Sequence, residues 1–198
     1  MSVGFAHEVA AFAARLIVQE GLEYGPAKRR AARDLGWPKA RRADLPGNQV
    51  IEDEVRSYLA LFCADTQPAE LAALREVAKT WMQRLAQFRP HLAGAVWRGT
   101  ATRHNDVYLE LFCDDPKSAE ITLLNLGVDF RVSSTEGLRG HSVDVLSFDS
   151  PSALLRAPVT VHLALHDHDD LRGALRPDDT GRARRGDLGA LCKLQERQ

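Results

Sequence analysis

The first ninety residues follow a helical pattern of apolar positions. Apolar side chains recur every three or four residues in four successive segments, and glycine, proline or a turn separates each segment from the next. The last segment begins near Pro68 and ends before Pro90, and its apolar positions are Leu71, Leu74, Val77, Ala78, Trp81, Met82, Leu85 and Phe88. This pattern predicts an α-helical N-terminal domain at residues 1–90.

The period of the pattern changes after Pro90. Polar and apolar residues alternate along the next clear strand, with one face formed by Asp106, Tyr108 and Glu110 and the other by Val107, Leu109 and Leu111. Further alternating segments at 128–133, 142–148 and 158–165 are predicted strands. Pro116 marks the start of a short helix that precedes them.

These two patterns predict an α+β fold with three parts. The helical domain is expected to pack on a small mixed-sheet α/β domain at residues 91–170. The remaining residues, 171–198, are rich in charge and are predicted to form a polar C-terminal tail that holds Arg182, Arg184 and Arg185.

Composition indicates a globular protein with no strong charge bias. Hydrophobic residues make up 44% of the chain, charged residues make up 27%, and the net charge is −1. This balance provides no overall attraction to nucleic acid or to an anionic membrane. The three cysteines, Cys63, Cys113 and Cys192, form no CxxC pair, and no apolar stretch is long enough to cross a bilayer. We therefore expect a cytoplasmic protein with reduced thiols and no membrane partner.

One segment of the helical domain is strongly basic, with Lys28, Arg29, Arg30 and Arg33 close together. Such a segment could bind the phosphates of RNA, of DNA or of a nucleotide. The alternative is a solvated helix face that keeps the domain in solution. The second interpretation is favoured, because no aromatic residues are interleaved with the charges.

A motif at the start of the α/β region carries a family resemblance. Residues 94–112 read Gly-Ala-Val-Trp-Arg-Gly-Thr-Ala-Thr-Arg-His-Asn-Asp-Val-Tyr-Leu-Glu-Leu-Phe. The stretch resembles the signature of the nucleotidyltransferase superfamily (the minimal, kanamycin-nucleotidyltransferase-like type), which is Gly-Ser-x-Ala-Arg-Gly-x-Ala-x-x-x-Ser-Asp-hydrophobic-Asp-hydrophobic. Gly94, Arg98, Gly99 and Asp106 match it without a gap. Tyr108 stands where the second metal-binding aspartate is expected.

The resemblance implies Mg²⁺-dependent transfer of a nucleotidyl group from a nucleoside triphosphate such as ATP. In such enzymes two or three carboxylates hold divalent ions that bridge the triphosphate and activate the attacking hydroxyl. By resemblance, Asp106 is the first metal ligand and Asp144, in Ser-Val-Asp-Val-Leu, is the later acid, with Asp129 as a weaker rival. Glu110 could replace the acid missing at Tyr108, although it lies roughly 7 Å further along the strand.

The same resemblance assigns the phosphate contacts to Gly94, Arg98, Gly99 and Thr100. A UDP-N-acetylmuramate–alanine ligase is not expected, because such ligases use a glycine-rich ATP loop with Lys and Ser/Thr and the sequence contains no such loop.

Two other kinds of function stay open at this point. The domain could be a catalytically degenerate module that binds a nucleotide, RNA or a protein partner, and Tyr108 is the residue that separates this hypothesis from the enzyme. Alternatively, the helical domain could act as an interaction scaffold.

Two further features, a group of histidines and aspartates and the cysteine Cys113, are candidates for a metal site and a nucleophile, and the sequence favours a structural role for both. The histidines and aspartates between His162 and Asp170 could chelate a transition metal, yet their spacing is more typical of a polar strand end that runs into a turn. Cys113 precedes two aspartates, which would raise its pKa and make it a poor nucleophile.

Overall fold

The computed structural model describes residues 3–178 and 181–196. Residues 1–2, which belong to the predicted helical domain, and residues 179–180 and 197–198, which belong to the predicted tail, lie outside the described residues. The chain forms two compact units. The first extends to Ala69 and includes Thr100–Asn105, and the second comprises Glu70–Gly99 and the chain from Asp106 onward.

The first unit is helical, as the sequence pattern predicts. Its helices are α1 (Val3–Glu20), α2 (Tyr24–Asp34), α3 (Asn48–Phe62) and the first residues of α4 (Gln67–Arg84). The core is formed by apolar side chains at helical spacing, among them Val9, Ala13 and Ile17 of α1, Ala27 and Ala31 of α2, and Ile51, Val55 and Leu59 of α3. These core residues are the apolar positions that recur every three or four residues in the sequence.

The second unit contains a six-stranded sheet. Its strands are β1 (His91–Ala93), β2 (Val107–Cys113), β3 (Arg131–Glu136), β4 (Ser142–Ser152), β5 (Ala157–Asp167) and β6 (Arg185–Gly186). The strand order is β3-β4-β5-β2-β1-β6. Strands β2 and β5 pair in parallel and the other pairs are antiparallel, so the predicted α+β class and mixed sheet are confirmed.

Four shorter helices complete the second unit within the described residues: α5 (Gly94–Arg98), α6 (Pro116–Asn125), α7 (Leu171–Ala174) and α8 (Leu188–Gln195). Helix α6 begins as the sequence predicts, with Pro116 in its first turn and the Asp115 side chain accepting a hydrogen bond from the Lys117 backbone. No helix in the described part of the chain is both long and apolar enough to cross a membrane.

Most of α4 belongs with the sheet. The indole of Trp81 meets the ring of Phe148 edge-on at 4.5 Å, and its Nε1 donates a hydrogen bond to Ser150 Oγ at 2.9 Å. The compact units therefore divide near Ala69 and not at residue 90, because the apolar stripe of α4 is buried against a strand face.

The segment predicted as a polar tail contains regular structure over much of its length. Gly186 of β6 pairs with Leu92 of β1, and Asp187 caps α8 by accepting a hydrogen bond from the Ala190 backbone at 2.8 Å. Gln195 at the end of α8 donates to Glu76 of α4. The chain after Leu171 is therefore part of the second unit.

We predict that Gly186→Ala destabilises the protein by about 1–3 kcal/mol. A Cβ atom at this position would lie 2.1 Å from the nearest ring atom of Trp97, whose Nε1 is fixed by a hydrogen bond to the Ala183 carbonyl. The matched control is Gly189→Ala in α8, where the nearest atom, Asp187 Oδ1, is 3.5 Å away. Urea unfolding should show a loss for the first variant alone; equal midpoints would contradict the packing described here.

Candidate functional site

The motif glycines bracket one short helix. Gly94 begins α5 with a φ of +71°, and Gly99 follows its end with a φ of +78°. Both angles lie in the left-handed region, where a side chain is strained. Helix α5 is supported from α4 by Arg75, a buried residue whose Nε donates to the Val96 carbonyl at 3.3 Å. Arg98 is half-buried at the last position of this helix.

Asp106, the motif's first carboxylate, is held by a histidine of the neighbouring strand. The parallel register of β2 and β5 places Tyr108 opposite His162. His162 Nε2 lies 3.0 Å from Asp106 Oδ2, and His162 Nδ1 lies 2.8 Å from Ser147 Oγ on β4. The side chains of Ser147 on β4, His162 on β5, and Asp106 and Tyr108 at the start of β2 therefore form a single cluster, which we call the Asp106 cluster.

Elementary hydrogen-bond chemistry fixes the proton positions in this cluster. An ionised carboxylate accepts hydrogen bonds and does not donate them, so His162 must carry a proton on Nε2. When the imidazole is neutral, its Nδ1 then accepts from the Ser147 hydroxyl. The side chain of Asp106 is 42% exposed while that of His162 is 20% exposed, so the carboxylate faces the solvent side of the cluster.

Tyr108 fills the place where the family signature has its second aspartate. Its ring stacks on His162, with the centroids 4.6 Å apart and an angle of 20° between the planes. A Cβ atom on Gly94 would lie 3.5 Å from the Tyr108 ring, so the glycine turn passes close to this stack. A neutral aromatic group therefore occupies the centre of the motif's polar face.

The structure does not bring Asp144 to Asp106. Ser147 of β4 lies in the row of His162, and Asp144 lies three residues beyond it, in the direction away from Asp106. The two carboxylates are thus separated by roughly 16 Å along the strands. Side chains alternate between the two faces of a sheet along a strand. Asp144 is two residues from the buried Leu146 and three from Ser147, so it lies on the face of Leu146 and opposite to Ser147. The expectation that Asp144 is the later metal-binding acid beside Asp106 is therefore wrong. Its rival Asp129 precedes β3 and is exposed.

Glu110 lies on the same face as Tyr108 but is committed to another partner. Arg185 of β6 donates to its Oε2, and the two side chains are 9% and 16% exposed. Burial raises the pKa of the Glu110 carboxyl, and the positive charge of Arg185 partly offsets that rise. Glu110 therefore forms a buried ion pair and does not stand in for the acid missing at Tyr108.

The other predicted phosphate contacts lie in the first unit. Thr100 is buried, with 2% of its surface exposed, and belongs to the segment Thr100–Asn105. On α2, Arg30 pairs with Glu20 and Asp34, Arg33 pairs with Asp34, and Lys28 donates to Asn48 at 2.6 Å. Arg29 is exposed. Two carboxylates, Glu20 and Asp34, therefore compensate part of the positive charge of this face, and RNA binding stays a prediction.

The histidines and aspartates between His162 and Asp170 separate into different surroundings. His166 is buried and stacks on Phe112, and burial lowers its pKa. His168 contacts Arg89, while Asp170 pairs with Arg139. Within residues 3–178 and 181–196, no group of three or more histidine, cysteine or acidic side chains is arranged to hold a metal ion. Magnesium binding also stays a prediction.

Cys113 has the properties that the sequence predicts. The thiol is buried, and burial raises its pKa, with further increases from Asp115, Asp114 and Asp167. A raised pKa keeps the sulfur protonated and makes it a weak nucleophile.

Two residues of the site were missed by the sequence interpretation. Ser147 lies on β4, a strand that the alternation predicts. Its position beside His162 follows only once β4 is paired with β5, and the sequence does not specify that pairing. Arg185 lies on a two-residue strand, which is too short to give a periodic signal. The chain matches no family model, and no curated protein is significantly similar to it.

We predict that Arg185→Met costs about 3–5 kcal/mol of stability at pH 7.5, because it leaves a buried carboxylate without its partner. A buried carboxyl with a raised pKa binds a proton more readily in the folded than in the unfolded protein, so acidification stabilises the folded state across that range. The cost should therefore shrink at pH 5, and Glu110→Gln in the same background should restore much of it.

Urea unfolding at both pH values measures this effect, with Arg184→Met on the exposed neighbouring residue as the control. A loss that is equal at both pH values, or no rescue by the glutamine, would show that Glu110 does not depend on Arg185.

Proposed function

We propose that the second unit is a nucleotidyltransferase-like domain that binds a nucleotide without transferring it. The observation that carries the proposal is the cluster formed by Asp106, Tyr108 and His162. It combines the motif's carboxylate with a neutral aromatic ring at the position of the second metal ligand. The glycine-bracketed turn of the same motif is retained.

The retained part of the motif supports binding. Gly94 and Gly99 adopt left-handed backbone conformations on either side of α5, and Arg98 at the end of α5 supplies a cation. Backbone amides in such turns and an arginine side chain are suited to phosphate oxygens. In the proposal these groups contact the phosphates of the nucleotide.

The altered part of the motif supports the loss of transfer. Two-ion catalysis needs several carboxylate oxygens around one centre, and Mg²⁺ requires near-octahedral oxygen ligation. Here one oxygen of Asp106 accepts from His162, and Glu110 is paired with Arg185. With Asp144 on the other face of the sheet, these acids do not fit the two-ion centre. Magnesium-dependent transfer is the competing proposal, and the experiments below separate the two.

We predict that ATP or GTP binds with similar affinity in the presence and absence of Mg²⁺, as measured by calorimetric titration. Asp106→Asn should change the affinity by less than about threefold, because asparagine can still accept the hydrogen bond from His162. Arg98→Gln should weaken binding by about tenfold, since it removes a charged phosphate contact. Arg131→Gln, on the exposed strand β3, is the matched control.

Binding that appears only with Mg²⁺ and disappears in Asp106→Asn would favour the active transferase instead. Failure of the wild-type protein to bind either nucleotide under both conditions would refute the proposal altogether.

A second prediction concerns Tyr108. Restoring the family's aspartate with Tyr108→Asp places two carboxylates on one strand face, roughly 7 Å apart along the strand. We expect ATP affinity to become sensitive to Mg²⁺ in this variant, measured by the same titration and by pyrophosphate release. Tyr108→Asn has a similar shape without the charge, so it should show no such sensitivity. If both variants respond to Mg²⁺ in the same way, the position is not a metal site that was lost.

A further inference from the structure

A cavity of about 410 Å³ in the second unit has a strongly basic lining. It lies between the turn that precedes β4, helix α7 and the start of β6. Its charged lining residues are four arginines and one aspartate: Arg139, Arg176, Arg184, Arg185 and Asp170. The lining residues therefore carry a formal charge of +3, and the pairing of Arg185 with Glu110 leaves an excess of two positive charges, whereas the whole chain has a net charge of −1.

One of the four arginines is neutralised inside the cavity. Arg139 Nε lies 2.6 Å from Asp170 Oδ1, and Arg139 Nη2 donates to the Asp169 carbonyl at 2.8 Å. Arg176 and Arg184 form no ion pair with any residue that the structure describes, and both are exposed at the cavity wall. Two guanidinium groups are thus available to an anion from solution.

Arg185 adds a buried donor that has no acceptor. Its Nη1 donates to Glu110, which lies outside the cavity lining, but its Nε is buried and has no hydrogen-bond partner among the described residues. The side chain as a whole is only 9% exposed. A buried N–H without an acceptor is unfavourable and is uncommon in folded proteins.

We propose that this cavity is a binding site for a diphosphate group. The two arginines left without an ion pair line the cavity from separate segments, Arg176 after α7 and Arg184 before β6, so a ligand with two linked phosphoryl groups offers a charged group to each of them. Guanidinium groups donate paired hydrogen bonds to phosphate oxygens, which suits a site built from arginine and not from lysine. The cavity volume is also within the range of small-ligand sites.

The site shares no residue with the Asp106 cluster. The inference therefore goes beyond the proposed nucleotide binding at that cluster and does not depend on it. The diphosphate could be free pyrophosphate or part of a nucleoside diphosphate, and the two sources are separated by comparing ligands.

The test is calorimetric titration of the full chain with pyrophosphate, inorganic phosphate, ADP and AMP. We expect pyrophosphate and ADP to bind at least about tenfold more tightly than phosphate and AMP. The double variant Arg176→Ala with Arg184→Ala should lose about tenfold or more of the pyrophosphate affinity, because two charged contacts are removed. The charge-matched control, Arg131→Ala with Arg172→Ala, alters two exposed arginines outside the lining and should bind as the wild type does. An ADP affinity well above that of pyrophosphate, lost in the Arg176→Ala and Arg184→Ala double variant but kept in Arg98→Gln, would identify the nucleoside diphosphate as the source.

The proposal is overturned if the wild type binds neither pyrophosphate nor ADP at millimolar concentration, if phosphate binds as tightly as pyrophosphate, or if the control variant loses as much affinity. These results are independent of the Asp106 cluster. Pyrophosphate binding that depends on Arg176 and Arg184 would stand even if Arg98→Gln had no effect on ATP. Conversely, ATP binding that depends on Arg98 would stand even if pyrophosphate did not bind.

Discussion

The hydrogen bond between His162 and Asp106 is the interaction that organises the open face of the sheet. It joins β5 to the start of β2 and forms only because the parallel register places His162 opposite Tyr108. When the carboxylate holds the imidazole at Nε2, the imidazole Nδ1 lies within hydrogen-bond distance of the Ser147 hydroxyl. The same orientation stacks the imidazole ring on the ring of Tyr108. A shift of one residue in this register would move His162 to the other sheet face and break all three contacts.

The two faces of the sheet therefore differ in character. One face is apolar and packs on α4, with Trp81 against Phe148 as its clearest contact. The other face bears the Asp106 cluster and, further along β2, the ion pair between Glu110 and Arg185. Burying that pair is costly unless both charges are present, so the short strand β6 is needed to complete this face. The same arginine also lines the basic cavity, which connects the stability of the sheet to the proposed anion site.

Local patterns in the sequence predicted much of this architecture. The four N-terminal helices, the alternation along β2 and the cap of α6 depend on residues close together in the chain, and these were predicted correctly. The pairing of β2 with β5 depends on residues more than fifty positions apart, and no local pattern specifies it. Asp144 was assigned to the site from its neighbours Val143 and Val145. The buried residue Leu146, however, shows that Asp144 lies on the opposite face. Strand β6 has only two residues, which is too few to show an alternation of polar and apolar side chains, so the sequence did not predict it.

The most direct test of this account is an NMR measurement of the His162 imidazole nitrogens in the 198-residue chain, with and without millimolar Mg²⁺. The account predicts that neutral His162 carries its proton on Nε2, that Asp106→Ala removes this preference, and that Mg²⁺ leaves the signals unchanged. A proton on Nδ1 would contradict the geometry of the cluster. A Mg²⁺-induced change that is lost in Asp106→Ala would show that Asp106 serves a metal ion, and would favour an active transferase over a nucleotide-binding domain that has lost its chemistry.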